Sequence, residues 1–139
     1  MIGYIFIIIL SVLGMELVAI LTHKYIMHGP GWFLHKSHHS HHSGFFELND
    51  IYFIIFSLPS IFNIIYGICY DNFFFLSIGI GILIYGLIYL FLHDIVVHNR
   101  LGNKITIKNS YLKKIRNSHL KHHKIKTKLG AKKFGFITY

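Results

Sequence analysis

The chain is poor in cysteine and in acidic residues. One cysteine, Cys69, stands among 139 residues, so no disulfide framework can form within the chain. It lies in an apolar run and is expected to be a packing residue. Only 5 Asp and Glu oppose 14 Lys and Arg, a formal net charge of +9. No G-x-G-x-x-G follows a strand-like stretch, and no C-x-x-C-H is present. These absences argue against a dinucleotide-binding fold and against covalently attached haem. No repeat of solenoid length is found. Acidic and basic side chains are nearly missing from three long stretches.

Those stretches are apolar. The chain is 53% hydrophobic, with a mean hydropathy of +0.51. Residues 1–22, 51–70 and 72–92 each have about the 20 residues a helix needs to cross a roughly 30 Å hydrocarbon core. None alternates with period two, so helices and not barrel strands are expected. The fold class predicted is an all-α integral membrane bundle of about three transmembrane helices, one domain over 1–139. The first run lacks the basic start and small-residue cleavage site of a signal peptide. Pro59 is expected to kink the second span. Asp71 and Asn72 leave room only for a tight turn, so the second and third spans form an antiparallel hairpin. Lys24, Lys36 and the basic tail 99–139 all follow the first or third span. The positive-inside rule places them in the cytoplasm, as in a bacterial inner-membrane protein. The tail is read as facing anionic lipid and not nucleic acid.

All twelve histidines fall on the side where the basic segments lie. Ten form four motifs: His23 and His28 (H-x4-H); His35, His38 and His39 (H-x2-HH); His93 and His98 (H-x4-H); and His119, His122 and His123 (H-x2-HH). Residues at i, i+3 and i+4 share a helix face, so each H-x2-HH set can converge. An i, i+5 pair is turned about 140° apart on an ideal helix, so one regular helix cannot chelate one ion with it. Gly29-Pro30 ends the first helix just after His28, where local distortion is expected. Ten nitrogens exceed the four of a tetrahedral zinc site and suit two ions with about five each. Imidazole accepts Zn, Cu, Fe and Ni, so spacing leaves the metal open. His41 and His42 stand outside the motifs and are read as bystanders.

Glu16 lies seven residues before His23 and is expected to accept its free N–H. Asp94, four residues before His98, is expected to serve that residue likewise. Glu47, Asn49 and Asp50 open the second span. Asn49 and Asp50 are read equally as helix caps or as supports of the site. Trp32, Phe45, Phe46, Tyr85 and Tyr89 are candidates to line a channel, or face lipid.

Taken with MELVAILTHKYIMHGPGWFLHKSHH (15–39), FELNDIYF (46–53), IYGLIYLFLHDIVVH (84–98), HLKHH (119–123) and FGF (134–136), the histidine pattern resembles the bacterial β-carotene 3-hydroxylases. That family lies within the fatty acid hydroxylase superfamily of membrane non-haem di-iron enzymes. The resemblance covers most of the chain. It implies two Fe ions held by the ten motif histidines, with Zn as a substitute in isolated protein. It implies a monooxygenase that uses O2 and electrons from a ferredoxin-type donor, ultimately NAD(P)H. The substrate, β-carotene, would enter from the lipid and be hydroxylated at C3 of its β-ionone rings, giving β-cryptoxanthin and zeaxanthin. A fatty acid or sterol hydroxylase or desaturase of the same superfamily is the alternative. A membrane metal-binding or transport protein would need ionisable residues along the spans, and Glu16 alone lies deep in one.

Overall fold

A computed structural model describes residues 2–40, 44, 46–102 and 106–138. The readings made for His41, His42 and Phe45 lie outside the described residues. Five α-helices carry the fold: α1 (Ile2–Leu21), α2 (Trp32–His35), α3 (Asp50–Cys69), α4 (Phe73–Tyr89) and α5 (Ser110–His123). Two π-helical segments extend α1 and α4, over Thr22–Met27 and Leu90–Val97. No strand occurs among the described residues.

Three helical stretches are long and apolar enough to cross a membrane: Ile2–Met27, Asp50–Cys69 and Phe73–Val97. The first and third run about five residues past the spans expected from sequence, because helix continues there in π form. Most of their side chains point outward, as in Ile2, Leu13, Phe62 and Leu87. That is the inverse of a soluble bundle and is suited to hydrocarbon as solvent. Cys69 is exposed at the end of α3, which corrects its reading as a packing residue.

With lipid outside, helix association must come from close packing and interhelical hydrogen bonds. α4 sits between α1 and α3 and touches both. A Cβ on Gly79 would lie 2.7 Å from Ile64 Cγ1 and 2.8 Å from Ile64 N, so glycine is what lets α3 and α4 meet. The Ser60 hydroxyl donates to the Gly79 carbonyl across the same contact (2.8 Å). On the other side, a Cβ on Gly81 would lie 2.5 Å from Ser11 Cβ. The α3–α4 turn is tight, as expected. Asp71 takes a left-handed φ of 49°, and the Asn72 side chain accepts from the backbone N–H of Phe74 and Phe75. α3 passes through Pro59 as one helix, and the Pro59 carbonyl accepts from the Asn63 side chain (2.7 Å). α5 starts at a capping Asn109 and leans on the π end of α4 through Ile115, Leu92 and Val97.

Gly79→Ala should destabilise the detergent-solubilised protein by about 1–3 kcal/mol, through overpacking against Ile64. Gly14→Ala, whose added Cβ meets nothing within 4 Å, should be neutral or slightly stabilising. Paired thermal melts check this; equal effects would contradict the close-packing account.

Candidate metal centre

The i, i+5 spacing acquires its meaning from the π segments. His28 N–H donates to the His23 carbonyl (3.0 Å), and His98 N–H to the His93 carbonyl (3.0 Å). Both are i→i+5 bonds, which stack residues five apart on one face. A regular α-helix could not bring an H-x4-H pair to one ion, and these two helix ends are not regular.

The H-x2-HH sets are divided where a single convergent face was expected. His35 and His39 join one group and His38 the other. His122 joins the first group, while His119 and His123 join the second. One group is thus His23, His28, His35, His39 and His122, and the other is His38, His93, His98, His119 and His123. In each, one ring nitrogen per residue lies within 4.8 Å of all the others. Each half of the chain gives two pairs to its own group and one histidine to its neighbour's. The groups abut: the rings of His39 and His123 stack with centroids 4.5 Å apart.

Hydrogen bonds on the outer nitrogens set the chemistry of the inner ones. Nδ1 of His23, His28, His39 and His122 faces the backbone carbonyls of Phe134, Lys128, Ile125 and Lys132, at 3.1, 3.0, 2.8 and 3.1 Å. Nδ1 of His35 faces Asn49 Oδ1 (2.7 Å). Nδ1 of His38 faces Glu47 Oε1 (2.6 Å), and Nδ1 of His93 faces Asp94 Oδ1 (2.7 Å). A carbonyl or carboxylate oxygen accepts, so these Nδ1 atoms carry the proton. Nε2 is then a bare lone pair in all seven residues.

Those lone pairs point at one another. Nε2 to Nε2 distances are 3.2 Å for His23–His35, 3.2 Å for His35–His39, 3.0 Å for His28–His122 and 2.9 Å for His38–His93. No proton is left to bridge any of these pairs. Among the described residues, the buried Nε2 of His98 has no hydrogen-bond partner. Lone pairs this close repel unless a cation draws them together, so the donor set fits two metal ions with five imidazoles each.

Burial works to the same end. Desolvation first, then neighbouring histidines, hold the His38, His119 and His123 imidazoles below the ordinary range. Desolvation likewise pushes His35 down to about 3, and His39 and His122 to about 4. His98 falls to about 2 for the same leading reason. These rings stay neutral, as metal ligation requires.

Two supporting residues stand elsewhere than expected. Glu16 does not reach His23. Its Oε1 accepts from the backbone N–H of Phe136, Ile137 and Thr138 and from the Thr138 hydroxyl, and its Oε2 accepts from Tyr85. It anchors the C-terminal tail, which in turn brings the Phe134 carbonyl to His23. Asp94 serves its neighbour His93, not His98, because the π turn swings position 98 away from a regular i, i+4 register. Asn49 makes no side-chain cap and accepts from His35. Asp50 accepts from the Glu47 N–H (3.1 Å) and pairs with Arg100, which also binds Asp94.

Sequence reasoning took His119, His122 and His123 from the tail but missed the stretch that follows them, residues 125–134, as a source of site groups. Its contributions are main-chain carbonyls, which no residue type announces. It also missed Phe136, whose ring stacks on His23 (10° between planes, centroids 5.5 Å). Phe136 and Tyr89 touch the histidine rings on one side. On the other they line an apolar cavity of about 320 Å³ between α1, α3 and α4, beside Met15, Met27, Tyr52, Phe56 and Tyr85. Trp32 packs instead on His28 and His39, and Phe46 is exposed. A polar pocket of about 160 Å³ opens beside the second group, lined by His38, Glu47, Asp94, His98 and Arg100.

Comparison with known proteins agrees with this geometry. The fatty acid hydroxylase family model matches residues 8–139. A β-carotene hydroxylase of Pantoea ananas is 41% identical over 131 residues, which are 94% of this chain and 74% of that protein. A β-carotene hydroxylase of Paracoccus sp. (strain PC1) is 36% identical over 94% of this chain and 81% of its own length. A chloroplastic β-carotene 3-hydroxylase of Haematococcus lacustris is 36% identical over 87% of this chain and 39% of its own length. No solved structure matches the chain.

Glu16→Ala should release the tail, since three backbone N–H groups lose their acceptor at a cost of at least about 2 kcal/mol. Glu16→Gln keeps an acceptor and should be milder. Faster proteolysis at Lys132 and Lys133 in the alanine variant checks this. Metal-free protein should also lose stability as pH falls. The unfolded histidines take up protons near 6.5, whereas folded His39 and His122 wait until about 4 and His35 until about 3. Each adds up to about 1.4 kcal/mol of loss per pH unit in that window. Melts between pH 7 and 4 should show the decline, and a flat profile would contradict neutral burial.

Proposed function

The chain belongs to the fatty acid hydroxylase family, and on that premise we propose that this enzyme hydroxylates carotenoid β-ionone rings at C3, using two iron ions. The convergence of ten imidazoles, nine of them buried, into two five-nitrogen groups is the observation that carries the reading. The names of its relatives supply the substrate class. On this reading His23, His28, His35, His39 and His122 hold one ion. His38, His93, His98, His119 and His123 hold the other. Bound iron would supply the activation of O2 needed to oxidise an unactivated ring C–H bond.

The chain's own residues do the rest. Nδ1–H bonds to carbonyls and carboxylates hold seven of the rings in one tautomer and one orientation. The apolar cavity admits a substrate end from the bilayer side and carries it to Tyr89 and Phe136, against the histidine rings. Its size is near the lower end of ligand pockets, about 300–1,000 Å³. That suits one ring of a long substrate whose remainder stays in lipid. The cavity's apolar walls keep water from the reacting carbon. Glu16 spends both carboxylate oxygens on the tail and Tyr85, which argues against a transport path through the spans.

Each hydroxylation consumes O2, two electrons and two protons and releases water. A reduced ferredoxin is proposed as the donor. The basic side chains favour an inner-membrane orientation with the histidines and C-terminus cytoplasmic.

Expression in β-carotene-accumulating bacteria, with pigment extraction, tests the proposal. β-Cryptoxanthin and zeaxanthin are expected, and His39→Ala should reduce them at least about tenfold, by loss of a ligand. Unchanged β-carotene alongside iron-loaded, membrane-inserted protein would overturn it.

A further inference from the structure

The two histidine groups differ in what stands behind them. All five rings of the first donate Nδ1–H to uncharged oxygens: four tail carbonyls and the amide of Asn49. A cation, Lys126, donates to the His39 carbonyl beside this group. Behind the second group, His38 donates to Glu47 and His93 to Asp94, both carboxylates. Asp94 and Asp50 share Arg100. Among the described residues, three carboxylates stand against one guanidinium behind this group.

A carboxylate drawing on Nδ1–H pushes electron density onto Nε2 and makes imidazole a stronger donor. Net negative charge a few ångströms away favours a cation, and favours a more highly charged cation further. We infer that the two ions are inequivalent, the second group holding its ion more tightly and in the more oxidised state, with Glu47 and Asp94 as the positioning residues that make the difference. The inference rests on the reading that each group binds one ion, and deepens it. It also gives a use to the polar pocket. The negatively charged ion site is the one that opens toward solvent, and the neutral one is wrapped by the tail.

The test uses full-length protein in detergent, loaded with two Fe(II) per chain and titrated with a competing chelator. Release in two resolved steps is expected. Glu47→Gln combined with Asp94→Asn should weaken the tighter step about 10–100-fold and leave the other within roughly 3-fold. Asn49→Asp adds a carboxylate behind His35 without removing any, and should tighten the weaker step and narrow the gap. Redox titration followed by Mössbauer spectroscopy should show two one-electron steps, with the gap reduced in both variants. Single-step release in the unsubstituted protein, or equal weakening of both ions, overturns the inference. Should the double variant fail to fold, an unchanged gap in Asn49→Asp overturns it alone. Fewer than two ions per folded chain would overturn the two-ion reading beneath it as well.

Discussion

Imidazole rings whose protons are drawn outward leave their lone pairs facing inward, and seven such rings stand among the ten gathered at one end of this bundle. Without a cation between them the arrangement is repulsive, and burial denies His35, His39 and His122 the relief of protonation. The protein meets this constraint with an outer ring of acceptors. Tail carbonyls, an asparagine amide and two carboxylates hold the Nδ1–H of these seven. Metal binding and folding of the tail are coupled through these bonds, since four of the five oxygens that orient the first group come from residues 125–134.

The membrane spans supply rigidity to that end. α4 is pressed between α1 and α3 through glycine contacts that only close backbone approach allows. Two of these three helices then change pitch at the same level, by switching to π geometry over Thr22–Met27 and Leu90–Val97. That switch is what turns each H-x4-H into a pair of neighbours. The price is an irregular helix end. The π register holds to the end of each segment, where the His28 and His98 N–H groups reach the His23 and His93 carbonyls.

Much of the fold was legible from elementary patterns. Three spans follow from run length, the hairpin from the two-residue gap at Asp71, and a shared face from the absence of histidine in the runs. The pairing of motifs announced a metal centre but not its wiring. π geometry is invisible to a 3.6-residue period, so His23 with His28 read as divergent. The crossing of His38 and His122 into opposite groups depends on tertiary placement, which i, i+3 and i+4 rules do not encode. Glu16 was noticed as a buried carboxylate needing partners, yet these are Tyr85 and, 120 residues and more away, three backbone N–H groups and a hydroxyl of the tail. Asp94 was noticed too, and the π turn redirected it to His93.

The asymmetry between a neutral and an acidic surround follows from where each group sits. One is closed by a tail of main-chain atoms, the other by the loop that opens α3 and by Arg100. The account as a whole depends on both groups being all-imidazole metal sites. X-ray absorption at the metal edge of the purified, metal-loaded protein measures that directly. It should show nitrogen or oxygen neighbours at about 2.0–2.2 Å, strong imidazole multiple scattering corresponding to about five rings per metal, and no sulfur, with two metals per chain. Two or fewer imidazoles per metal, or a single metal per chain, would contradict it.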